Sequence, residues 1–233
     1  MFGRTVVHGV HLILRALDSV FSTRRDRIIL KKLRAQFRAP VGVGLSIDVD
    51  FDRRDSNEAR ILVRARSAVV CQIDLEWSVA ERRTEATKVQ SGRPDREACR
   101  VVGSTEWEQS CGSVPVILDR ELCAELLPSA SQRMSAEQIA ILLATTRIVG
   151  MRCPGLNSLY SELSIEFGND QKVTDSLRYS VKRFDPRFRL YTLEIAGAGA
   201  SGEILAFERP GPQAQPSAKE LRSVVDSGEF SDR

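Results

Sequence analysis

The stretch Val10–Phe21 (VHLILRALDSVF) limits what this chain can become more than any other. At helical spacing its polar residues His11, Arg15 and Asp18, with Ser22 just beyond, recur at i, i+4, i+7 and i+11, a single narrow stripe. Apart from Ser19, the rest of the circumference is apolar: Val10, Leu12, Ile13, Leu14, Ala16, Leu17, Val20 and Phe21. Such a helix must be wrapped by other structure, because each large side chain left in water forfeits about 1.5–3 kcal/mol of burial. Gly9 stands at its front, where a backbone admits close approach and first-turn N–H groups lack intrahelical acceptors. The pattern over Phe2–Phe21 therefore predicts a buried helix whose N-terminus faces a site.

A second stretch lies over the first. His8–Leu17 aligns without a gap on Pro154–Leu163, which sets Gly9 on Gly155, Leu17 on Leu163 and, further along, Phe21 on Phe167. Strand-like sequence opening with Leu-Arg follows both copies, at Leu33-Arg34 and at Leu177-Arg178. Two matched elements in the same order predict a duplicated unit, with a second helix over Leu156–Phe167.

Strands are predicted at 33–41, 45–51, 59–67 and 68–77. Ile47, Val49 and Phe51 alternate with Ser46, Asp48 and Asp50, and Ile73, Leu75 and Trp77 alternate with Gln72, Asp74 and Glu76. That period of two marks an antiparallel sheet with one wet face. Residues 79–112 lose the order and read as a linker, disordered in part. Val114–Leu118 reads as a short strand and Glu121–Leu127 as a helical turn. Ser135 and Gln138 have the spacing of a capping box for a helix running to about Thr146. Three more strands are expected at 176–184, 188–195 and 203–208. The glycine run Ala196–Gly202 is followed by a strand, not the helix a phosphate cradle needs, so it reads as a flexible hairpin loop. The expected organisation is an α+β unit over 1–78, a linker over 79–130, a second unit over 131–210 and a tail over 211–233.

A net charge of +3, from 34 basic and 31 acidic residues, is too small to point to nucleic acid. Arg15 and Asp18 interrupt the best apolar run well short of the ~20 residues a membrane span needs. The N-terminal sequence does not have the pattern of a signal peptide. Cys71, Cys99, Cys111, Cys123 and Cys153 are scattered, never in a CxxC pair, beside only two histidines. Reduced thiols in a cytoplasmic protein, without a metal site or cofactor, is the reading that fits.

Phe2-Gly3-Arg4-Thr5-Val6-Val7-His8-Gly9 resembles the FGRPxVHG signature of the MaoC-like acyl dehydratases, the (R)-specific enoyl-thioester hydratases. The resemblance is specific at residues 2–9 and implies a double hot-dog fold: two long helices, each wrapped by an antiparallel sheet. Val149–Gly155 resembles the degenerate half of such a protein. The implied chemistry is addition or removal of water at the double bond of an enoyl thioester of coenzyme A or acyl carrier protein. Gly9 would offer its backbone N–H to the thioester carbonyl, with His8 beside it. Val10 and His11 would line the substrate, and Arg24, Arg25, Lys31 and Lys32 are candidates for the carrier's phosphates. These cations, like the pair Arg15 and Asp18, also read simply as solvated surface.

The family's general acid and base come from a D-x-N-P-x-H motif upstream of FGR, and this sequence contains no such motif. Three explanations stay open: the dyad lies upstream of this sequence, the chain binds acyl thioesters without catalysis, or other groups serve. A thioesterase ranks last, because Asp18 and Glu162 are two to three turns from their glycines in the aligned helices. Ser227–Arg233 resembles the lead-in to a short-chain-reductase-like domain, as if a further domain followed. Hot-dog units pair sheet edge to sheet edge, either within one chain or in a homodimer.

Overall fold

The structure is a computed structural model that describes residues 5–80, 89–94, 98–100, 107, 110–168 and 175–210. The first helix, α1 (Gly9–Phe21), forms where the apolar pattern requires it, followed by strands β1 (Ile28–Phe37), β2 (Asp48–Arg53), β3 (Glu58–Ala65) and β4 (Ala68–Val79). Two residues of β5 (Gln90–Ser91) precede β6 (Cys111–Pro115) and β7 (Ile117–Leu118). Three helices come next, α2 (Arg120–Leu126), α3 (Pro128–Arg133) and α4 (Ala136–Arg147), and α4 runs into a π-helical turn over Ile148–Arg152. Strands β8 (Ser158–Phe167), β9 (Ser176–Asp185), β10 (Leu190–Gly197) and β11 (Ala200–Glu208) complete the described chain. The tail 211–233, with the reductase-like stretch, and residues 2–4 of the signature lie outside the described residues.

Nine strands make one antiparallel sheet in the order β2-β3-β4-β1-β8-β11-β10-β9-β6. The order reads alike from the middle outward: β1, β4, β3, β2 on one side and β8, β11, β10, β9 on the other. The seam is the β1–β8 ladder, where Arg34 faces Ser164. Duplication is therefore visible in the topology, as is the hot-dog arrangement of helices against one face of a large antiparallel sheet.

The helix pairing differs from the sequence expectation. Leu156–Phe167 is not the second helix: it is mostly strand β8, and α1 corresponds instead to α4. Leu163, Ile165 and Phe167 are buried while Glu162, Ser164 and Glu166 turn to the outer face, a period of two that the alignment on α1 concealed. In α4, Ile139, Ala140, Ile141, Leu142 and Ala144 are all buried, as are Gln138 and Thr145. A helix buried nearly all round shows no stripe for a pattern search to find. At 13 and 12 residues, α1 and α4 are helices of ordinary length.

The capping box at α4 is not made. Ser135 occupies the N-cap without a side-chain bond, and Gln138 reaches β1 instead. Its Oε1 accepts from the Leu30 N–H at 3.1 Å and its Nε2 donates to the Leu30 carbonyl at 2.7 Å. The β1–β4 register slips between Leu30 and Lys32, so a fully buried backbone there needs side-chain partners.

The polar stripe of α1 is likewise not a solvated surface pair. Arg15 Nη1 donates to the Leu126 carbonyl at the end of α2 (2.7 Å), and Asp18 Oδ1 accepts from the N–H groups of Ser129 and Ala130 (2.8 Å each). Buried Asp18 thus caps α3 from another helix, and the stripe is the seat for the α2–α3 segment. The glycine run closes as a tight two-residue turn, with Ala198 at φ 51° and Gly199 at φ 78° between the paired Gly197 and Ala200. Two successive positive φ angles suit the twist of a hairpin, so the flexible loop expected there is short and defined.

The outer face of the sheet carries ion pairs Lys32–Glu166, Arg34–Glu162, Arg60–Asp74, Arg64–Asp50 and Lys182–Glu203. Among the described residues, no helix is long and apolar enough to cross a membrane.

Candidate functional site

The N-terminus of α1 has helical electrostatics without a cap. His8 holds the N-cap position in extended conformation and makes no side-chain capping bond, and the first turn has no acidic residue. Helix geometry leaves the N–H groups of Gly9, Val10 and His11 without intrahelical acceptors, at the positive end of the dipole.

A ring of contacts from both halves of the molecule surrounds this end. A β-carbon on Gly9 would lie 2.9 Å from Cε1 and Cζ of Phe37, the last residue of β1. Phe37 in turn packs against Tyr160 of β8, with ring centroids 5.6 Å apart and planes tilted by 53°. The Tyr160 hydroxyl is buried beside the hydroxyls of Thr145 and Thr146 on α4, and burial holds its pKa well above the ordinary tyrosine value. Neither threonine meets it in hydrogen-bonding geometry. The Tyr160 hydroxyl and Thr146 Oγ1 both lack a partner among the described residues, whereas the Thr145 hydroxyl donates to the Leu142 carbonyl at 2.7 Å. Four residues beyond Thr146, in the π-helical turn, a β-carbon on Gly150 would lie 3.9 Å from Cε1 of His8. The ring Gly9–Phe37–Tyr160–Thr146–Gly150–His8 is thereby closed.

His8 and His11 are exposed, and no hydrogen bond or ion pair joins either to a carboxylate among the described residues. Partial burial, then Arg15 and then His8, lowers the pKa of His11, which favours its neutral imidazole. Val10 contributes only backbone here, because its side chain is fully buried in the core. The basic candidates stand elsewhere. Arg24 lies past the C-terminus of α1, about 20 Å along the helix from Gly9, with its guanidinium over Phe51 (5.3 Å) and Trp77 (5.0 Å). Arg25 is exposed and its carbonyl accepts from Arg133 (2.8 Å). Lys31 is exposed at the β1 register slip, and Lys32 pairs with Glu166 at 3.4 Å on the outer face. No group of three or more His, Cys, Asp or Glu among the described residues is arranged to hold a metal ion.

Sequence reasoning singled out Gly9, His8 and His11 at this helix end and gave no sign of Phe37, Thr146, Gly150 and Tyr160, which the structure places around it. Assigning Tyr160 to a helix hid its place on a strand next to β1. Its one available signal was the period of two in 162–167.

No protein-family model matches the sequence, and no curated protein does. Among solved structures, the acyl-CoA thioesterase II TesB2 of Mycobacterium marinum superposes with a TM-score of 0.52 at 12% identity, over 91% of this chain and 93% of that one. A Lactobacillus plantarum protein described as an oleoyl thioesterase superposes with a TM-score of 0.52 at 9% identity, over 89% and 90%. A MaoC-like dehydratase aligns over 89% of this chain and 85% of its own at 13% identity, with a TM-score of 0.47. At these identities the likeness is one of fold, and it extends over both halves of the molecule: the chain has the hot-dog fold.

Proposed function

We propose that this chain processes acyl thioesters of coenzyme A or acyl carrier protein at the α1 N-terminus, and that the reaction is hydrolysis. The observation that carries the reading is the uncapped first turn of α1 set inside a ring drawn from both halves of the sheet. The N–H groups at Gly9 and Val10 receive the thioester carbonyl and stabilise the oxyanion as water adds to its carbon. An imidazole, His11 or His8, takes the proton of that water, and collapse of the tetrahedral adduct breaks the C–S bond. The thiolate leaves with the proton returned by the imidazolium. The carrier's phosphates fall to Arg24, Arg25, Lys31 and Lys32, of which Arg25, Lys31 and Lys32 are exposed and Lys32 is paired with Glu166. The two thioesterases of like fold support this choice of reaction.

Hydration of an enoyl thioester is the second reading, favoured by the Phe2–Gly9 signature. It requires an acid and base directed at the double bond, for which neither histidine has a carboxylate partner among the described residues. The test is to incubate the chain with butyryl-CoA and with crotonyl-CoA, separating products by chromatography. Free coenzyme A from butyryl-CoA is the expected result. Hydroxybutyryl-CoA from crotonyl-CoA without hydrolysis would establish the second reading. Neither turnover nor binding by calorimetry would overturn both.

A further inference from the structure

Two buried hydroxyls in the ring are left over by the roles assigned so far. Buried polar groups in folded proteins are almost always hydrogen-bonded, because an unmet one costs its full desolvation. The Tyr160 hydroxyl and Thr146 Oγ1 break that rule together, in the same place, among the described residues. Packing holds both: Tyr160 is braced by Phe37, and Thr146 sits on a helix buried nearly all round. Each hydroxyl can donate one bond and accept others, so between them they suit one small oxygen that also does both. Thr145 Oγ1, which already donates to Leu142, keeps acceptor capacity beside them. A water molecule needs two to four polar partners to be held in a buried position, and these three oxygens supply that number. Phe37 links Tyr160 to Gly9, and Gly150, one helical turn beyond Thr146, lies against His8, so this polar spot belongs to the same ring as the α1 N-terminus.

We propose that Tyr160 and Thr146 are positioning residues that hold the attacking water between the two halves of the fold, facing the thioester carbonyl at the α1 N-terminus. This rests on the hydrolytic reading. The step balances without a further reactant: the held water forms the new C–O bond, its proton passes to the imidazole and then to the departing sulfur. Tyr160 and Thr146 remain protonated throughout and act by orientation, which is worth up to about 100-fold in rate for a nucleophile displaced by ~1 Å.

The experiment compares Tyr160→Phe, Thr146→Val and Thr146→Ser in the full chain with butyryl-CoA and 3-hydroxybutyryl-CoA as substrates. Tyr160→Phe and Thr146→Val are expected to lower kcat at least ~10-fold on both substrates with KM within about twofold, and Thr146→Ser to recover most of it. Loss confined to 3-hydroxybutyryl-CoA would overturn the proposal by making the hydroxyls a subsite for a substituent of the acyl group. Unchanged kcat in both variants would overturn it as well. A second measurement does not depend on turnover. A crystal structure of the unaltered chain must show an ordered oxygen within hydrogen-bonding distance of both the Tyr160 hydroxyl and Thr146 Oγ1, and its absence overturns the proposal. If that oxygen is present and no acyl thioester is turned over, it is the hydrolytic reading that has failed, and the catalytic role assigned to the two hydroxyls goes with it.

Discussion

Asp18 offers the sharpest quantitative test of how α1 organises the molecule. Its Oδ1 alone accepts both bonds, from Ser129 and Ala130, at the start of a six-residue helix that has no side-chain cap of its own. Replacing Asp18 by Ala removes that acceptor and leaves the N–H of fully buried Ala130 unpaired. An orphaned buried donor costs ~1–3 kcal/mol and a lost N-cap ~0.5–2 kcal/mol, and since these overlap the expected loss is about 2–3 kcal/mol. Asp18→Asn keeps an oxygen in the same position, so both bonds survive. It loses only the favourable charge at the helix N-terminus, ~0.3–1 kcal/mol. Urea unfolding of the three proteins, with m-values compared to confirm a common denatured state, measures both differences. The reasoning fails if Ala costs less than ~0.5 kcal/mol or if Asn costs as much as Ala.

Three further expectations follow from single contacts. Gly9→Ala should lower the Tm, because its β-carbon meets Phe37 at 2.9 Å, and Phe37→Leu should restore part of it with a coupling of ~1 kcal/mol in a double-mutant cycle; additive effects would refute the contact. His11 has a folded pKa below its ordinary 6.5, so the unfolded chain takes up that proton first as pH falls. Its contribution is therefore complete above about pH 6.5 and is lost as pH falls toward the folded pKa. Unfolding of His11→Gln should show a shallower acid-side slope than the unaltered protein, and identical slopes would contradict the shift. Burial pushes the Cys71 thiol up to about 12 and Cys153 to about 11, and raises Cys123, while Cys99 and Cys111 are exposed. Ellman's reagent at pH 8 should label two thiols quickly in the native chain and all five in denaturant, and fast labelling of a third would show the core to be open.

How much of this was legible in the sequence varies with the kind of physical signal. The helix α1 was readable because a polar stripe on an otherwise apolar surface permits one periodicity, and β4 was readable because the alternation of Ile73, Leu75 and Trp77 with Gln72, Asp74 and Glu76 admits only a period of two. β8 was misread because Leu159 and Leu163, four residues apart, satisfy a helix while Leu163, Ile165 and Phe167 satisfy a strand. Over a short apolar run the two periods overlap, and only pairing with β1 decides between them. The capping box failed for a related reason. Gln138 had two competing places to bond, and the buried Leu30 backbone at the register slip had no alternative partner.

The candidate site divides in the same way. The sequence alone determined a buried helix with Gly9 at its front, because that follows from spacing within one segment. Only the tertiary structure decided what faces it. Phe37, Thr146, Gly150 and Tyr160 come from four elements spread over more than a hundred residues, brought together by the β1–β8 seam and the end of α4. Period and propensity act within a segment. A partnerless hydroxyl, a capped helix or a phenyl ring against a glycine is a relation between segments, and it exists only once the chain has closed around α1.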